Sequence, residues 1–498
     1  MRRLVAVIAL GALVAPAALS AQAAPPRAVI VGSKAFTESV ILGEMLAQAG
    51  ALHGVRTEHR RELGGTRILF DALRRGDIDA YVEYAGTLTE ELSPGPAADL
   101  DARLARLGLA MSAPLGFNNT YAIGMKPDLA ARLGITRISD LRAHPDLTFG
   151  FGNEFLDRGD GWPALRDRYG LPQRDVRGLD HDLAYRALDA GQIAATDLYS
   201  TDAEIRAYGL RVLDDDLRHF PAYHAVVLYR TALAKDAPAA LDAWRPLEGR
   251  IDEPAMIALN ARVKIDRVPE AQAAAGFIAT AFNRRAEAAS RGRASRITAR
   301  AIEHIRLVAV SLAAAILIGI PLGVAAAARR GAGRVILAAA GILQTIPSLA
   351  LLVLLIPLLG IGTWPAVAAL FLYSLLPIVR NTHQGITGVA PELRDSARAL
   401  GLPPLLMLRR IQLPLASPAM LAGIKTAAVI NVGTATLGAL VGAGGFGQPI
   451  LTGVRLADAG LILEGAVPAA LLALAVQWML DAVEPLLVPR GLRLERGR

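Results

Sequence analysis

Two tyrosines stand three residues apart in the stretch IDAYVEYAGT (residues 78–87), with Glu83 between them and Gly86-Thr87 after the second. Aromatic residues make up only 5% of the 498-residue chain, so a local pair of phenols is a concentrated use of scarce rings. A tyrosine offers an aromatic face to a cation and a hydroxyl to a polar partner. Thr87 adds a second hydroxyl one short turn beyond Tyr84. Such a set binds, and the residues for other chemistries are missing. The eight histidines form no H-E-x-x-H pair, and no G-x-S-x-G elbow occurs. There are no cysteines, which excludes disulfides, thiolate metal sites, cysteine nucleophiles and a cysteine-linked lipid anchor. No G-x-x-x-x-G-K-[ST] loop is present; GIKT (residues 423–426) has the lysine and threonine without the glycine-rich turn. The chain is therefore read as a non-enzyme that does not hydrolyse ATP, with no metal site and no cofactor of its own.

The elements that must position these side chains fall into two halves. Nine of the ten tyrosines precede residue 300, and the long uncharged runs follow it. Mean hydropathy is +0.37, high for a soluble protein. The net charge of +8 invites a nucleic-acid partner, but the arginines form no stripe with interleaved aromatics. Loop arginines that orient a membrane protein account for the charge better, so no nucleic-acid partner is expected.

Residues 1–23 carry two arginines, a short apolar core and Ala21-Gln22-Ala23, the pattern of a cleavable signal peptide. Residues 24–285 read as an exported soluble α/β domain. RAVIVGS is a strand, TESVILGEMLAQAGAL a helix with Thr37 as N-cap, RILFDALRRG a helix closed by Gly76, and IDAYVEYA an alternating strand. Strands alternating with helices predict a largely parallel sheet with ligands at the strand C-termini. TYAIGMK and FPAYHAVVLYR are further strands, either of which can cross between lobes. Residues 286–302 read as a partly helical basic linker, and 303–490 as an all-α polytopic membrane domain.

Leu307–Ala328 is free of charge and long enough to span a bilayer. Val335–Val379 accommodates two spans with a hairpin near GIGTWP, Thr426–Val454 one span and an irregular segment, and 460–486 a final span: five in all. With the N-terminal domain outside, Arg329, Arg330, Arg334, the loop 380–425 and the arginine-rich tail all fall inside, as the positive-inside rule requires. Asn431, Thr434 and Thr436 are polar groups in an apolar span, either lining a path or joining helices.

Within the inner loop, Asp395-Ser396-Ala397 is followed after three residues by Gly401 and after nine more by Ile411-x-Leu413-Pro414. This spacing resembles the EAA loop of bacterial ABC-importer permeases, with Asp-Ser in place of the usual Glu-Ala. The resemblance implies a helix that docks on a separate ATPase subunit, which binds the ATP.

The exported half adds GSKAFTESVILGEMLAQ, GGTRILFDALRRGDIDAYVEYAGT, NNTYAIGM, EFLDRGDG, LYSTDAEI and HFPAYHAV, in that order. Together they resemble the binding proteins of osmoprotectant ABC importers of the quaternary-ammonium type, which bind glycine betaine, proline betaine, carnitine or choline. The membrane half resembles the permease of the same systems. The resemblance implies a receptor with the α/β two-lobed periplasmic binding protein fold fused to a permease, assembled as a homodimer with ATPase subunits in the bacterial inner membrane, its receptor on the periplasmic side. It also implies an aromatic cage of Tyr84, Tyr121, Tyr199 and Tyr223, with Asn119 presenting an oxygen to the cation. Lys34, Thr87 and Arg158 match the residues that grip a betaine carboxylate. Tyr84 and Thr87 then touch opposite ends of one ligand.

Each of these residues has an ordinary structural alternative. The tyrosines can be core, and Lys34 a surface lysine. Arg158 can pair with Asp160 or Glu154. Tyr81 and Tyr185 are assigned to the core, Glu83 to a structural role, and Phe151 and Trp162 are candidate pocket walls. Ser39 departs from the glutamine frequent after FTE. Choline and ergothioneine remain open as ligands. A membrane sensor or a membrane-tailed enzyme are the rival functions, and both lack their signatures.

Overall fold

The computed structural model describes residues 27–283, 292–456 and 458–489; the signal-peptide reading and the arginine-rich tail lie outside them. The structure divides the chain into an α/β unit, residues 27–292 with 452–458, and a helical unit made of the rest.

The α/β unit holds two five-stranded sheets. The first runs β2 (Thr57–Arg60), β1 (Val29–Gly32), β3 (Ala80–Tyr84), β10 (Ala225–Arg230), β4 (Leu109–Met111). The second runs β7 (Val176–Leu179), β6 (Phe149–Gly152), β8 (Ala195–Tyr199), β5 (Tyr121–Met125), β9 (Arg211–Val212). The expectation of largely parallel sheets is corrected. Each sheet has a parallel half, β2-β1-β3 and β7-β6-β8, but β10 runs antiparallel to β3 and β4, and β5 antiparallel to β8 and β9. The two reversed strands are those next to the lobe crossing, where the chain returns through its neighbour rather than over a helix. The crossing segments touch at the bridge between Asn118 and His224.

All five residues of β3 are buried, although their sequence alternates. A strand covered on both faces has no solvent side, so its polar Glu83 needs internal partners. The helix Thr37–Leu52 starts one residue earlier than expected: Thr37 is its first residue, and Phe36 holds the N-cap position without a side-chain cap.

In the helical unit, the helix Arg293–Ala328 begins within the expected linker. Among the described residues, four helices are long and apolar enough to cross a membrane, and a bent pair, Arg330–Thr345 with Ser348–Leu359, makes a fifth if taken as one span. The pair is bent by 99° at Ile346-Pro347, where proline removes a backbone donor and restricts the preceding residue. The span expected from Thr426 instead begins at Leu413 and includes Lys425, whose ammonium lies 2.5 Å from Asp481 and 2.5 Å from Glu484 on the last helix. That pairing lets a charge sit in an apolar helix. Leu317, Leu354, Leu358, Leu471 and Trp478 point outward, as lipid-facing residues do.

Small residues let these helices approach closely. A Cβ on Gly323 would stand 2.5 Å from the Thr382 side chain and 2.9 Å from the Val379 carbonyl. Asn431 is fully buried, donating to Ser311 Oγ (3.1 Å) and accepting from Ser374 Oγ (2.9 Å) on two other helices. It therefore joins helices. Thr436 bonds within its own chain segment, to the Gly433 carbonyl.

Candidate ligand-binding site

The tyrosines meet at the C-terminal ends of β3 and β8, the start of β5 and the return segment before β10. Tyr121 is the hub. Its ring centroid lies 5.0 Å from Tyr199, 5.7 Å from Tyr223, 5.1 Å from Phe155 and 6.0 Å from Phe220. Tyr84 joins through Phe36, whose ring is 6.4 Å from Tyr84 and 5.8 Å from Tyr199. Four predicted rings are thus gathered, with Tyr84 one ring removed from the other three. Phe36, Phe155 and Phe220 were missed as site residues, although each lies inside a motif quoted above. Phe151 and Trp162 stand behind Phe155 rather than in the ring of tyrosines: Phe151 packs 5.2 Å from Phe155 and 5.0 Å from Trp162.

The polar residues are brought to the same place. Asn119 donates Nδ2 to Glu38 Oε1 at 2.8 Å, which turns its Oδ1 away, buried and without a hydrogen-bond partner among the described residues. Thr87 is buried in the turn after β3. Lys34 is buried, 2.6 Å from Glu83 Oε1 and 3.0 Å from Thr66 Oγ1, with its ammonium 5.4 Å from the Tyr84 ring. Glu83 also accepts from Tyr81 Oη and the Tyr84 amide.

Arg158 lies over Tyr121 and Tyr223, at 5.5 Å and 5.9 Å from their centroids. It grips Asp160 through Nε (2.8 Å) and Nη2 (2.6 Å), and its Nη1 is 3.0 Å from Glu91. Of the two alternatives weighed from sequence, Asp160 is a partner; Glu91 takes the place given to Glu154. Asp160 in turn accepts from Tyr223 Oη, and the Arg158 guanidinium holds its carboxyl below the usual carboxylate range despite burial. A guanidinium has five N–H groups and an ammonium three. Both cations keep donors for a further anion.

A second ionic cluster backs the cage. The His181 ring lies 4.4 Å from that of Tyr199, tilted by 37°, with Nε2 3.0 Å from Asp202 and Nδ1 3.4 Å from Asp197. Burial opposes its charge, but the two carboxylates raise its pKa well above the usual imidazole value. Asp202 also accepts from Tyr185 Oη and from the Tyr199 amide (2.8 Å). Burial alone would raise Asp202; His181, with Lys264 and the Tyr185 hydroxyl, holds it at about 2 instead. A carboxyl depressed on folding stabilises the fold above its unfolded value of 3.8 and loses that contribution as pH falls toward about 2. Asp202→Asn is therefore expected to lower the melting temperature at pH 6, by an amount worth on the order of 2 kcal/mol. The gap to wild type should shrink between pH 3.8 and about 2 in a fluorimetric melting series; a gap independent of pH would refute the assignment.

Comparison with known proteins follows this division of the chain. Residues 27–280 match the model of the substrate-binding domain of the ABC-type glycine betaine transport system, and residues 319–490 that of the binding-protein-dependent transport system inner membrane component. The chain is 42% identical over 196 residues to an osmoprotectant import permease protein of Salmonella typhimurium, covering 38% of this chain and 91% of the relative. It is 42% identical over 192 residues to a choline transport system permease protein of Bacillus subtilis, covering 38% and 88%. It is 32% identical over 247 residues to an ergothioneine transport permease and binding protein of Helicobacter pylori, covering 48% and 44%. A solved glycine betaine/carnitine/choline ABC transporter structure aligns with 51% of this chain and 99% of its own, at 29% identity and TM-score 0.44. The chain belongs to the family of substrate-binding domains of ABC-type glycine betaine transport systems, and it carries the inner membrane component of a binding-protein-dependent transport system in the same polypeptide.

Proposed function

We propose that this chain is the receptor-permease subunit of an importer for a quaternary ammonium compound bearing a carboxylate, glycine betaine-like in class. The observation that carries the reading is the convergence of Tyr199, Tyr223 and Phe155 on Tyr121, with Arg158 above the rings. A trimethylammonium group donates no classical hydrogen bond, so aromatic faces are its natural partners, each worth about 0.5–2 kcal/mol when desolvated. Arg158 and Lys34 supply the remaining N–H groups for the carboxylate, and Thr87 a hydroxyl.

Two chains assemble with two ATPase subunits in the bacterial inner membrane, with the receptor on the periplasmic side. The loop from Asp395, Ser396 and Ala397 through Gly401 to Ile411 and Pro414 docks on the ATPase. It folds as the helix Pro391–Ala399, a left-handed glycine and a short helix from Pro404, the form a rigid coupling element needs.

A second reading is favoured by the ion pairs: Lys34 and Arg158 are already engaged by Glu83, Asp160 and Glu91. A cage whose cations are neutralised suits choline, which lacks a carboxylate. Calorimetric titration of the full chain in lipid nanodiscs with glycine betaine, carnitine, choline and ergothioneine separates the two. Arg158→Ala is expected to weaken the betaines by about tenfold or more, the worth of a charge-assisted hydrogen-bonded contact, and to leave choline nearly unchanged. Equal losses for choline and the betaines would sink the clamp. No binding of any of the four would overturn the ligand class.

A further inference from the structure

Glu38, the second residue of the helix Thr37–Leu52, is buried and outside the set of ligand-facing residues described so far. Its carboxylate gathers four donors. Oε1 accepts from Tyr84 Oη at 2.6 Å and Asn119 Nδ2 at 2.8 Å. Oε2 accepts from Thr201 Oγ1 at 2.5 Å and Asn260 Nδ2 at 2.9 Å. None of the four is a cation.

The donors come from different parts of the receptor. Glu38 and Tyr84 belong to the lobe of the first sheet. Thr201 follows β8 of the second sheet. Asn119 lies beside the crossing segment. Asn260 sits on the helix Glu253–Lys264, which packs on the Glu38 helix, and its Nδ2 also reaches the Thr201 carbonyl at 3.0 Å. A buried carboxylate without a cation is tolerable only when its lone pairs are filled. They are filled here only if the lobes are closed and the Tyr84 phenol stands in place.

We propose that Glu38 is a positioning residue that couples the aromatic cage to lobe closure, setting Tyr84 through one oxygen and fastening the second lobe through Thr201 with the other. The proposal rests on the reading of the tyrosine cluster as the ligand site. Tyr84 then has two functions: its ring faces the ligand region beside Phe36, and its hydroxyl reports ring position to the carboxylate. Lys264 adds a parallel contact between the same lobes, 2.6 Å from Asp182 and 2.8 Å from Glu204. It touches no cage residue, so it fastens the lobes without sensing the ring.

The test uses the full chain in nanodiscs, with glycine betaine, carnitine and choline as probes. Glu38→Gln is expected to weaken binding about tenfold or more, because a neutral amide replaces an acceptor of charge-assisted bonds. Tyr84→Phe keeps the ring and removes the donor. The double variant is expected to bind no more weakly than the worse single one, since both break the same link; additive losses would overturn the proposal. If Glu38→Gln fails to fold, Thr201→Val with Tyr84→Phe forms the same cycle and decides in the same way.

The chain has no cysteines, so spin labels at Asp71→Cys and Arg166→Cys, one on each lobe and both exposed, report closure directly. Glu38→Gln is expected to shift the ligand-free distances toward longer separation, and Lys264→Met to do so without changing the Tyr84 dependence. An unchanged distribution in Glu38→Gln would overturn the proposal. If wild type binds none of the probes, the ligand class fails while this distance measurement still decides the role of Glu38.

Discussion

Replacing Tyr121 by alanine is expected to weaken binding of the preferred quaternary amine by roughly 100-fold, the largest loss from any single cage residue. The ring loses its own cation–π face, about 0.5–2 kcal/mol. It also stops bracing Tyr199 and Tyr223, and each aromatic pair contributes about 0.5–1.5 kcal/mol beyond buried area. A total near 3 kcal/mol corresponds to the stated factor, at about 1.4 kcal/mol per tenfold. Tyr121→Phe keeps the face and the ring packing, so it should bind within a few-fold of wild type. On the proposed reading the ring face holds the ligand, while burial drives the hydroxyl's pKa far above the usual phenol value. Calorimetry on the two variants checks this. A Tyr121→Phe loss as large as that of alanine would mean that the hydroxyl, rather than the ring face, holds the ligand.

The second large effect concerns transport without binding. Gly401 sits at φ +74 between the helix Pro391–Ala399 and the turn leading to Pro404. A Cβ there meets nothing within 4 Å, so a substitution fails through the backbone and not through a clash. Left-handed geometry costs an L-residue about 1–2 kcal/mol, and a β-branched side chain is the least tolerant. Gly401→Val is expected to redirect the helix that carries Asp395, Ser396 and Ala397. Uptake of labelled betaine in proteoliposomes with the ATPase should fall at least about tenfold, in line with that strain plus the lost docking geometry. Ligand affinity should stay at the wild-type value. Uptake at the normal rate would remove this loop from the coupling role. A parallel loss of affinity would place the defect in folding instead.

The fold was legible wherever the sequence pattern is local. The glycine after RILFDALRR, the apolar run of RAVIVGS and the periodicity of the helix at 37–52 each describe residues that contact their own neighbours. The mixed sheets were not legible, because strand direction depends on where the chain crosses between lobes, and the bridge between Asn118 and His224 that marks the crossing joins residues 106 positions apart. Nor was the complete burial of β3, since its alternation describes one open face that the surrounding helices close. The helix that begins at Leu413 was placed too late for a similar reason: Lys425 ended the uncharged run in the sequence, while Asp481 and Glu484, far along the chain, make the charge acceptable.

The sequence by itself determined the two-part plan, the apolar helices and the motif set that carries the family. Hydrocarbon thickness fixes the length and composition of a span residue by residue, and motif spacing is a property of the chain alone. Only the tertiary structure decided how the candidate binding residues share their partners. It put Arg158 between Asp160 and Glu91, tied Lys34 to Glu83, and set Tyr121 rather than Tyr84 at the hub of the rings. It also made Glu38, an unremarked residue of FTES, the meeting point of donors 46, 81, 163 and 222 positions away. The physical reason is that a buried polar group must find its partners in space. Nothing in the local pattern around Glu38 records how far along the chain those partners lie.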